Sequence, residues 1–278
     1  MFLPPEPSPR QRAALLGFRA FCALVFLFLV APIVVIVPLS FNSGPFLTYP
    51  LEGLSLRWYQ DFFTSPRWLS AVQNSFVVAV ATTILATPLG TLAALGLVRS
   101  NFALKKVVVA LLISPMIVPV IIIAIAVYFV FSPLRLTGSL TGLVLAHLVL
   151  AVPFVVIAVH ATLQGFDPTL WRAAASLGAR PTLVFRRVVL PLIAPGVLSG
   201  ALFAFVASFD ELVTTIFLAG PQQRTLPLQM FDGVREQVSP TITAAASLLI
   251  ALSVLLLGSV ELLRRRGRRL QAAQIGAE

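Results

Sequence analysis

Six long apolar runs constrain the fold of this chain more than any other feature. Each run is long enough for a helix to cross the hydrocarbon core of a bilayer, which takes about 20 residues. Hydrophobic residues make up 58% of the 278 residues and charged residues only 11%, and a soluble domain of this size has too little interior to bury that much apolar surface. The sequence therefore predicts an all-α membrane protein with six transmembrane helices. The runs cover about 15–39, 71–98, 107–131, 140–160, 192–218 and 241–263.

The segments outside the runs are short and leave no room for a second globular domain. Residues 1–14 are rich in Pro, Arg and Gln and predict a loose cytoplasmic tail, and residues 263–278 predict a basic one. Residues 15–67 are predicted to hold the first transmembrane helix and an outer segment. The first run is longer than the apolar core of a signal peptide and lacks a convincing cleavage site. We therefore expect a retained anchor helix, and its Cys22, the only cysteine, excludes an intramolecular disulfide.

The positions of the basic residues predict the orientation of the chain. If the N-terminus lies inside and six crossings follow, 15 of the 20 Lys and Arg residues fall in inner segments. This is the positive-inside bias, and it predicts a membrane protein with both termini in the cytoplasm. The net charge of +10 is then explained by topology and contact with anionic membrane lipid rather than by nucleic-acid binding.

The residues do not form a catalytic or metal-binding pattern. The only lysines, Lys105 and Lys106, follow no glycine-rich phosphate loop, so any ATP must bind to another chain. His147 and His160 have no neighbours with metal-ligand spacing and are interpreted as packed or interfacial side chains. We therefore expect that this chain is not an enzyme and holds no cofactor of its own.

A polar segment, residues 161–191, separates the fourth and fifth runs on the predicted inner side. Asp167 is placed to cap a helix that has Pro168 at its first position, and Gly178 is placed to end it with a positive φ. Pro181 is suited to open a second helix, and Pro191 marks its junction with the next apolar run. The pattern predicts a short helix-turn-helix at the membrane face, which indicates a docking site for another protein.

The same segment resembles a loop found in a known family. Ala173-Ala174, three residues, Gly178, nine residues, Val188, one residue and Leu190-Pro191 match the spacing of the Glu-Ala-Ala loop of ABC-importer permeases. Arg172 stands where that family has Glu, which leaves open the charge of the surface opposite it. The resemblance implies that this loop is the coupling helix that sits in a groove of a separate ATPase subunit. The residues assigned to coupling are Asp167, Arg172, Ala173, Ala174, Gly178, Arg180, Leu190 and Pro191.

Two adjacent acids, Asp210 and Glu211, stand out in the fifth run. An ionised Asp at the centre of a membrane helix costs roughly 2.5–3.5 kcal/mol on insertion scales, so such residues usually have a function. One interpretation is that the acids, with Ser208, line a path and attract a cationic solute. The other is an ion pair between helices. In the third run, Pro115 and Pro119 predict a bend, which is interpreted either as part of the path or as a static kink.

The segment around these acids is similar to spermidine/putrescine permeases. The similarity lies in Ser208-Phe209-Asp210-Glu211, then Gly220-Pro221, then Thr225-Leu226-Pro227, and finally Ser239-Pro240 before the last run. Permeases for opines, 4-aminobutyrate, aminoethylphosphonate and ferric iron carry related sequences, so these solutes remain alternatives. Together with the coupling loop, the resemblance spans about 68–262 and implies one permease core of the type-I (MetI-like) importer fold.

The resemblance also implies a location in the bacterial inner membrane, and it implies the partners. They are a second permease subunit, identical or different, two copies of an ATPase that binds ATP and Mg²⁺, and a periplasmic substrate-binding protein. The expected function is the translocation path of an ATP-driven importer for a small cationic solute, with a polyamine favoured. A secondary transporter is the more distant alternative, but it usually has a coupling-ion site and internal repeats, and no clear repeat is present.

Overall fold

The computed structural model describes residues 9–236, 239–255 and 258. Within those residues the regular structure is helical, and the one β-bridge, between Asn42 and Leu54, is isolated. In chain order the helices are α1 Pro9–Leu39, α2 Arg57–Thr64, α3 Pro66–Arg99, α4 Lys105–Ile113, α5 Val120–Phe131, α6 Leu140–Gln164, α7 Pro168–Ser176, α8 Pro181–Phe209, α9 Val213–Leu218, α10 Leu226–Glu236 and α11 Thr241–Leu255.

Four of these helices, α1, α3, α6 and α8, are long and apolar enough to cross a membrane. The third apolar run is bent by 101° between α4 and α5. The bend contains Pro115, in a short 3₁₀ turn, and Pro119, just before α5. The helix is interrupted there because neither proline can donate the amide hydrogen bond of a continuing helix. The sixth run forms α11, and after Leu255 the structure describes only residue 258 of that run. Six crossings therefore remain a prediction, while the multi-pass helical architecture is confirmed.

One compact unit comprises residues 66–232 and is built on α3, α6 and α8. Small residues allow these helices to approach closely. A Cβ atom added at Gly90 of α3 would lie 2.6 Å from Val155 Cβ, and one at Gly200 of α8 would lie 2.9 Å from Val155 Cα. Both distances are shorter than a van der Waals contact, so Val155 of α6 fills the space left by both glycines, as small residues at membrane helix interfaces commonly permit.

The other unit combines the chain before residue 66 with the chain from residue 233 onward. The Trp58 indole N–H of α2 donates to the Asn42 carbonyl at 2.7 Å. The Thr241 hydroxyl at the start of α11 donates to the Asp61 carboxylate at 2.7 Å. These bonds join segments that are distant in sequence and place α2 against α11.

Candidate docking helix and solute path

Helix α7 begins with the predicted cap. The Asp167 carboxylate accepts the Thr169 backbone N–H at 2.9 Å and the Thr169 hydroxyl at 2.6 Å, and Pro168 occupies the first helical position. The hydrogen bond from the Thr169 side chain, followed by that from its backbone, lowers the pKa of Asp167 below its ordinary value. The carboxylate is therefore ionised at neutral pH, which favours the positive end of the helix dipole.

Helix α7 ends in a Schellman motif. Gly178 has φ of +81°, its N–H donates to the Ala175 carbonyl at 2.9 Å, and the Ala179 N–H donates to the Ala174 carbonyl at 3.3 Å. These are the two bonds that define the motif, and they satisfy carbonyls that the helix end leaves unpaired. Pro181 then opens α8, so both ends of α7 are fixed by local chemistry.

The inner face of α7 is held by an aromatic side chain that sequence reasoning missed. Trp171 is half-buried and, with Ala174, packs against the core between α3, α6 and α8. The Arg99 guanidinium at the end of α3 lies 3.8 Å from the centroid of the Trp171 ring, a cation–π distance. Both side chains also line a cleft of about 610 Å³ beside α7. The sequence signals for this contact were an Arg at the end of one apolar run and a Trp in the next inner loop.

The outer face of α7 is open. Leu170 is 43% exposed and Leu177 is 88% exposed, and with the exposed Ala173 they follow a spacing that places them on one side of the helix. Arg172 is also exposed, and no residue of α7 is buried. The surface formed by Leu170, Arg172, Ala173 and Leu177 is called the docking surface below.

The remaining predicted coupling residues lie at the start of α8. Arg180 is exposed at its N-cap. A π-helical turn, Phe185–Val189, precedes Leu190, whose N–H donates to the Phe185 carbonyl. The wider turn offsets the hydrogen-bond register next to Pro191, which has no amide hydrogen to donate. Leu190 is half-buried and Pro191 is exposed.

At the far end of α8 the two acids lie outside the helix, which corrects the prediction of one helix over 192–218. Helix α8 ends at Phe209, and the chain is non-helical over 210–212 before α9 begins. The Glu211 carboxylate accepts the Thr214 backbone N–H at 2.8 Å and so caps α9. Asp210 is exposed, and its carboxylate has no hydrogen-bond or ion-pair partner in the described part of the chain. The local polar chemistry therefore separates the roles of the two acids.

Ser208, the third predicted path residue of this segment, lies inside the helix packing. It is 4% exposed, and its hydroxyl is 2.8 Å from Nδ1 of His147 in α6. His147 is 1% exposed, as expected for a packed histidine. Pro115 and Pro119 lie at the bend between α4 and α5.

An aromatic cluster adjoins Asp210 along the chain. The rings of Phe205 and Phe209 stack with centroids 5.6 Å apart, and the Phe76 ring of α3 meets that of Phe209 edge-on at 5.2 Å. The i, i+4 spacing of Phe205 and Phe209 was visible in the sequence, but the participation of Phe76 required the packing of α3 on α8.

Comparisons with known proteins extend this picture. The model of the family described as "Binding-protein-dependent transport system inner membrane component" matches residues 86–269. The chain is 33% identical to the spermidine/putrescine transport system permease protein PotC of Escherichia coli K12 over 245 residues, covering 88% of this chain and 92% of the relative. It is 35% identical to the putrescine transport system permease protein PotI of the same strain over 235 residues, covering 82% and 83%.

A solved structure shares the fold. It is a chain of the bacterial alginate ABC transporter in complex with an alginate pentasaccharide-bound periplasmic protein, with a TM-score of 0.73 and 16% identity, covering 92% of this chain and 96% of that one. The likeness shows that the all-α architecture is that of an ABC-importer permease.

Proposed function

Because this chain belongs to the binding-protein-dependent transport system inner membrane components, we propose that it forms part of the path by which an ATP-driven importer carries a polyamine across the inner membrane. The chain is a multi-pass permease subunit of an ABC importer and not an enzyme. The observation that carries the choice of solute is its similarity, over more than four-fifths of its length, to two permeases named for spermidine or putrescine.

Asp210 is the residue proposed to meet the solute. Its carboxylate is exposed and not neutralised by a basic side chain in the part of the chain described, so it is free to attract an ammonium group. The neighbouring Phe209 belongs to an aromatic cluster, and aromatic faces attract organic cations. Glu211 adds negative potential but is engaged as the cap of α9. The bend at Pro115 and Pro119 is proposed to line the same path.

The docking surface on α7 is proposed to bind the ATPase subunit. Two exposed leucines on one side of a capped helix offer an apolar contact, and the small Ala173 between them allows a groove to approach closely. Arg172 favours an acidic group in that groove. The assembly contains two ATPase subunits, which bind ATP and Mg²⁺, a second permease subunit and a periplasmic binding protein. Both termini lie in the cytoplasm.

In the proposed cycle, ATP closes the two ATPase subunits and each displaces its docked α7. Because α7 continues through a tight turn into α8, the displacement reaches the helices around the path and alternates their access. The chain itself breaks and forms no covalent bond.

The solute is tested by uptake into proteoliposomes that contain the complete importer. Putrescine, spermidine, 4-aminobutyrate and ferric iron are compared, with an ATPase-inactive complex as the background. ATP-dependent uptake of a polyamine alone supports the proposal. Preference for 4-aminobutyrate or ferric iron would replace the solute, and polyamine uptake without ATPase subunits would refute the importer mechanism.

The side on which α7 lies is tested with a single thiol. Cys22→Ser gives a chain without cysteine, and Leu177→Cys then places one thiol at a position of the docking surface that is 88% exposed. A membrane-impermeant reagent is expected to label it in inside-out vesicles stripped of the ATPase and not in right-side-out vesicles. Bound ATPase is expected to protect it. Labelling from the outer side would overturn the orientation.

A further inference from the structure

Helix α8 and α9 are separated by a break that contains Asp210, and a single buried side chain contacts both sides of that break. His147 of α6 places Nδ1 at 2.8 Å from the Ser208 hydroxyl and Nε2 at 3.2 Å from the Thr215 hydroxyl. Ser208 lies in the last turn of α8, and Thr215 lies in α9. The imidazole therefore bridges the two helical segments from a third helix.

The bridge is buried and chemically complete. His147 is 1% exposed, Ser208 is 4% exposed and Thr215 is fully buried. A neutral imidazole has one N–H donor and one acceptor nitrogen. Because the Thr215 hydroxyl donates its one hydrogen to the Glu211 carbonyl, both bonds form when Nε2–H donates to the Thr215 oxygen and Nδ1 accepts from the Ser208 hydroxyl. Because unpaired polar groups are costly in an apolar interior, the two hydroxyls and the ring fix one another in place.

The residues inside the break are held from both sides. The Thr215 hydroxyl also donates to the Glu211 carbonyl at 3.1 Å, and the Glu211 carboxylate caps α9 through the Thr214 N–H. The Asp210 carboxylate has no such tie within the described residues, and the Asp210 backbone N–H donates to the Val206 carbonyl of α8 at 3.0 Å. Its position is therefore set by the chain on either side of it, and those flanking segments are joined through His147.

We propose that His147 is a positioning residue: by joining Ser208 to Thr215 it fixes the helix break that presents the Asp210 carboxylate. The consequence for transport rests on the proposed function, in which Asp210 attracts a polyamine. The consequence for geometry does not depend on the proposed function, because it concerns only where the Asp210 side chain lies.

The first experiment measures geometry alone, in the complete importer. In the Cys22→Ser background, Asp210→Cys is reacted with a charged, membrane-impermeant thiol reagent, with His147 intact or changed to Leu. His147→Leu keeps an apolar side chain of similar size but removes both bonds, and is expected to change the labelling rate about tenfold, the effect of one or two buried hydrogen bonds. His160→Leu, at the other end of α6, is the matched control and is expected to leave the rate unchanged.

The second experiment measures transport with Asp210 present. His147→Leu is expected to raise the KM for spermidine more than it lowers the maximal rate, and His147→Gln, which can still donate and accept, is expected to restore most of the loss. In an Asp210→Asn chain, His147→Leu is expected to add little. If His147→Leu does not assemble, Thr215→Val and Ser208→Ala remove one bond each and are measured in the same way.

The outcomes separate this inference from the function on which it rests. An unchanged labelling rate in His147→Leu, or in both single-bond variants, would overturn the positioning role. The other outcome is that His147→Leu changes the labelling rate but lowers uptake equally in chains with and without the Asp210 carboxylate. That result would uphold the positioning role and refute the part of Asp210 in the solute path.

Discussion

Replacing Gly178 tests whether the geometry of α7 matters for coupling. Gly178 has φ of +81°, a left-handed conformation that costs other L-residues about 1–2 kcal/mol. An added Cβ would meet no atom within 4 Å, so the cost comes from the backbone alone and not from a clash. Gly178→Ala should therefore lower the population of the native turn about 5- to 30-fold relative to competing conformations.

The Gly178 turn is stabilised mainly by its backbone conformation, since Ala179 is its one side chain that packs against the core. No residue of α7 is buried, and the two Schellman hydrogen bonds from Gly178 and Ala179 both require the left-handed residue. We therefore expect Gly178→Ala to lower ATP-driven uptake about in proportion to the lost population, and Gly178→Val to lower it further. Gly178→Asn and Gly178→Asp should be milder, because these residues adopt the left-handed conformation more readily.

The assay is uptake by the reconstituted importer, together with ATPase co-purification and the thermal stability of the membrane domain. Gly165 is the matched control, since it ends α6 in the same inner segment with φ of −88°, and its added Cβ would make only an ordinary contact with the Thr162 carbonyl at 3.7 Å. Gly165→Ala should behave like the unmodified chain. Normal uptake by Gly178→Val, or equal losses for the two Ala variants, would refute the reasoning.

Three further predictions concern packing, charge and pH. Gly200→Ala should destabilise the membrane domain by about 1–3 kcal/mol through overpacking, seen as a lower thermal midpoint, whereas Gly96→Ala, with no atom within 4 Å of the added Cβ, should not. Asp210→Asn should lower polyamine uptake about fivefold at low ionic strength, the effect of losing one exposed charge pair. Glu211→Gln can still cap α9 and should lower uptake less. Equal losses of uptake in the two variants would contradict the assigned roles. Hydrogen bonds lower the pKa of Asp167, so they stabilise α7 fully at any pH above the ordinary aspartate pKa of about 4. This stabilisation is lost only as the pH falls through the lower folded-state pKa. ATPase binding measured from about pH 8 to pH 5 should therefore show no change from this residue.

The parts of the docking helix that sequence reasoning predicted are those set by one residue and its immediate neighbours. Asp167, Pro168, Gly178 and Pro181 each have a backbone preference that holds in almost any surroundings, and the structure confirms all four conformations. The inner face of α7 was not predictable in the same way, because the contact between Trp171 and Arg99 depends on where α3 ends relative to α7.

The break beside Asp210 was less predictable from the sequence than the docking helix. The adjacent acids were recognisable in the sequence, but the continuous helix predicted over 192–218 was wrong at 210–212. The apolar character of the fifth run continues through the point where the helix breaks. Three polar contacts define that break: the Glu211 cap and the two bonds from His147. His147 is 61 residues from Ser208 in sequence, so its part in the break depended on tertiary packing that no local pattern records.

Helix α8 connects the docking helix to the break at Asp210, and its hydrogen bonding and packing determine how motion is transmitted between them. Helix α8 has 29 residues and so extends about 43 Å at 1.5 Å per residue, with the docking helix before it and Asp210 immediately after it. The π-helical stretch of this helix, Phe185–Val189, lies near the docking end, and Pro195, which has no amide hydrogen to donate, follows it within the same helix. Beyond it, Gly200 brings α8 against the backbone of α6, and His147 fixes the final turn to α6 as well. We infer that bending is confined to the stretch from the π-helical turn to Pro195. Displacement of α7 then moves α6 and the rest of α8 as one body and changes the position of Asp210 without altering the break that presents it.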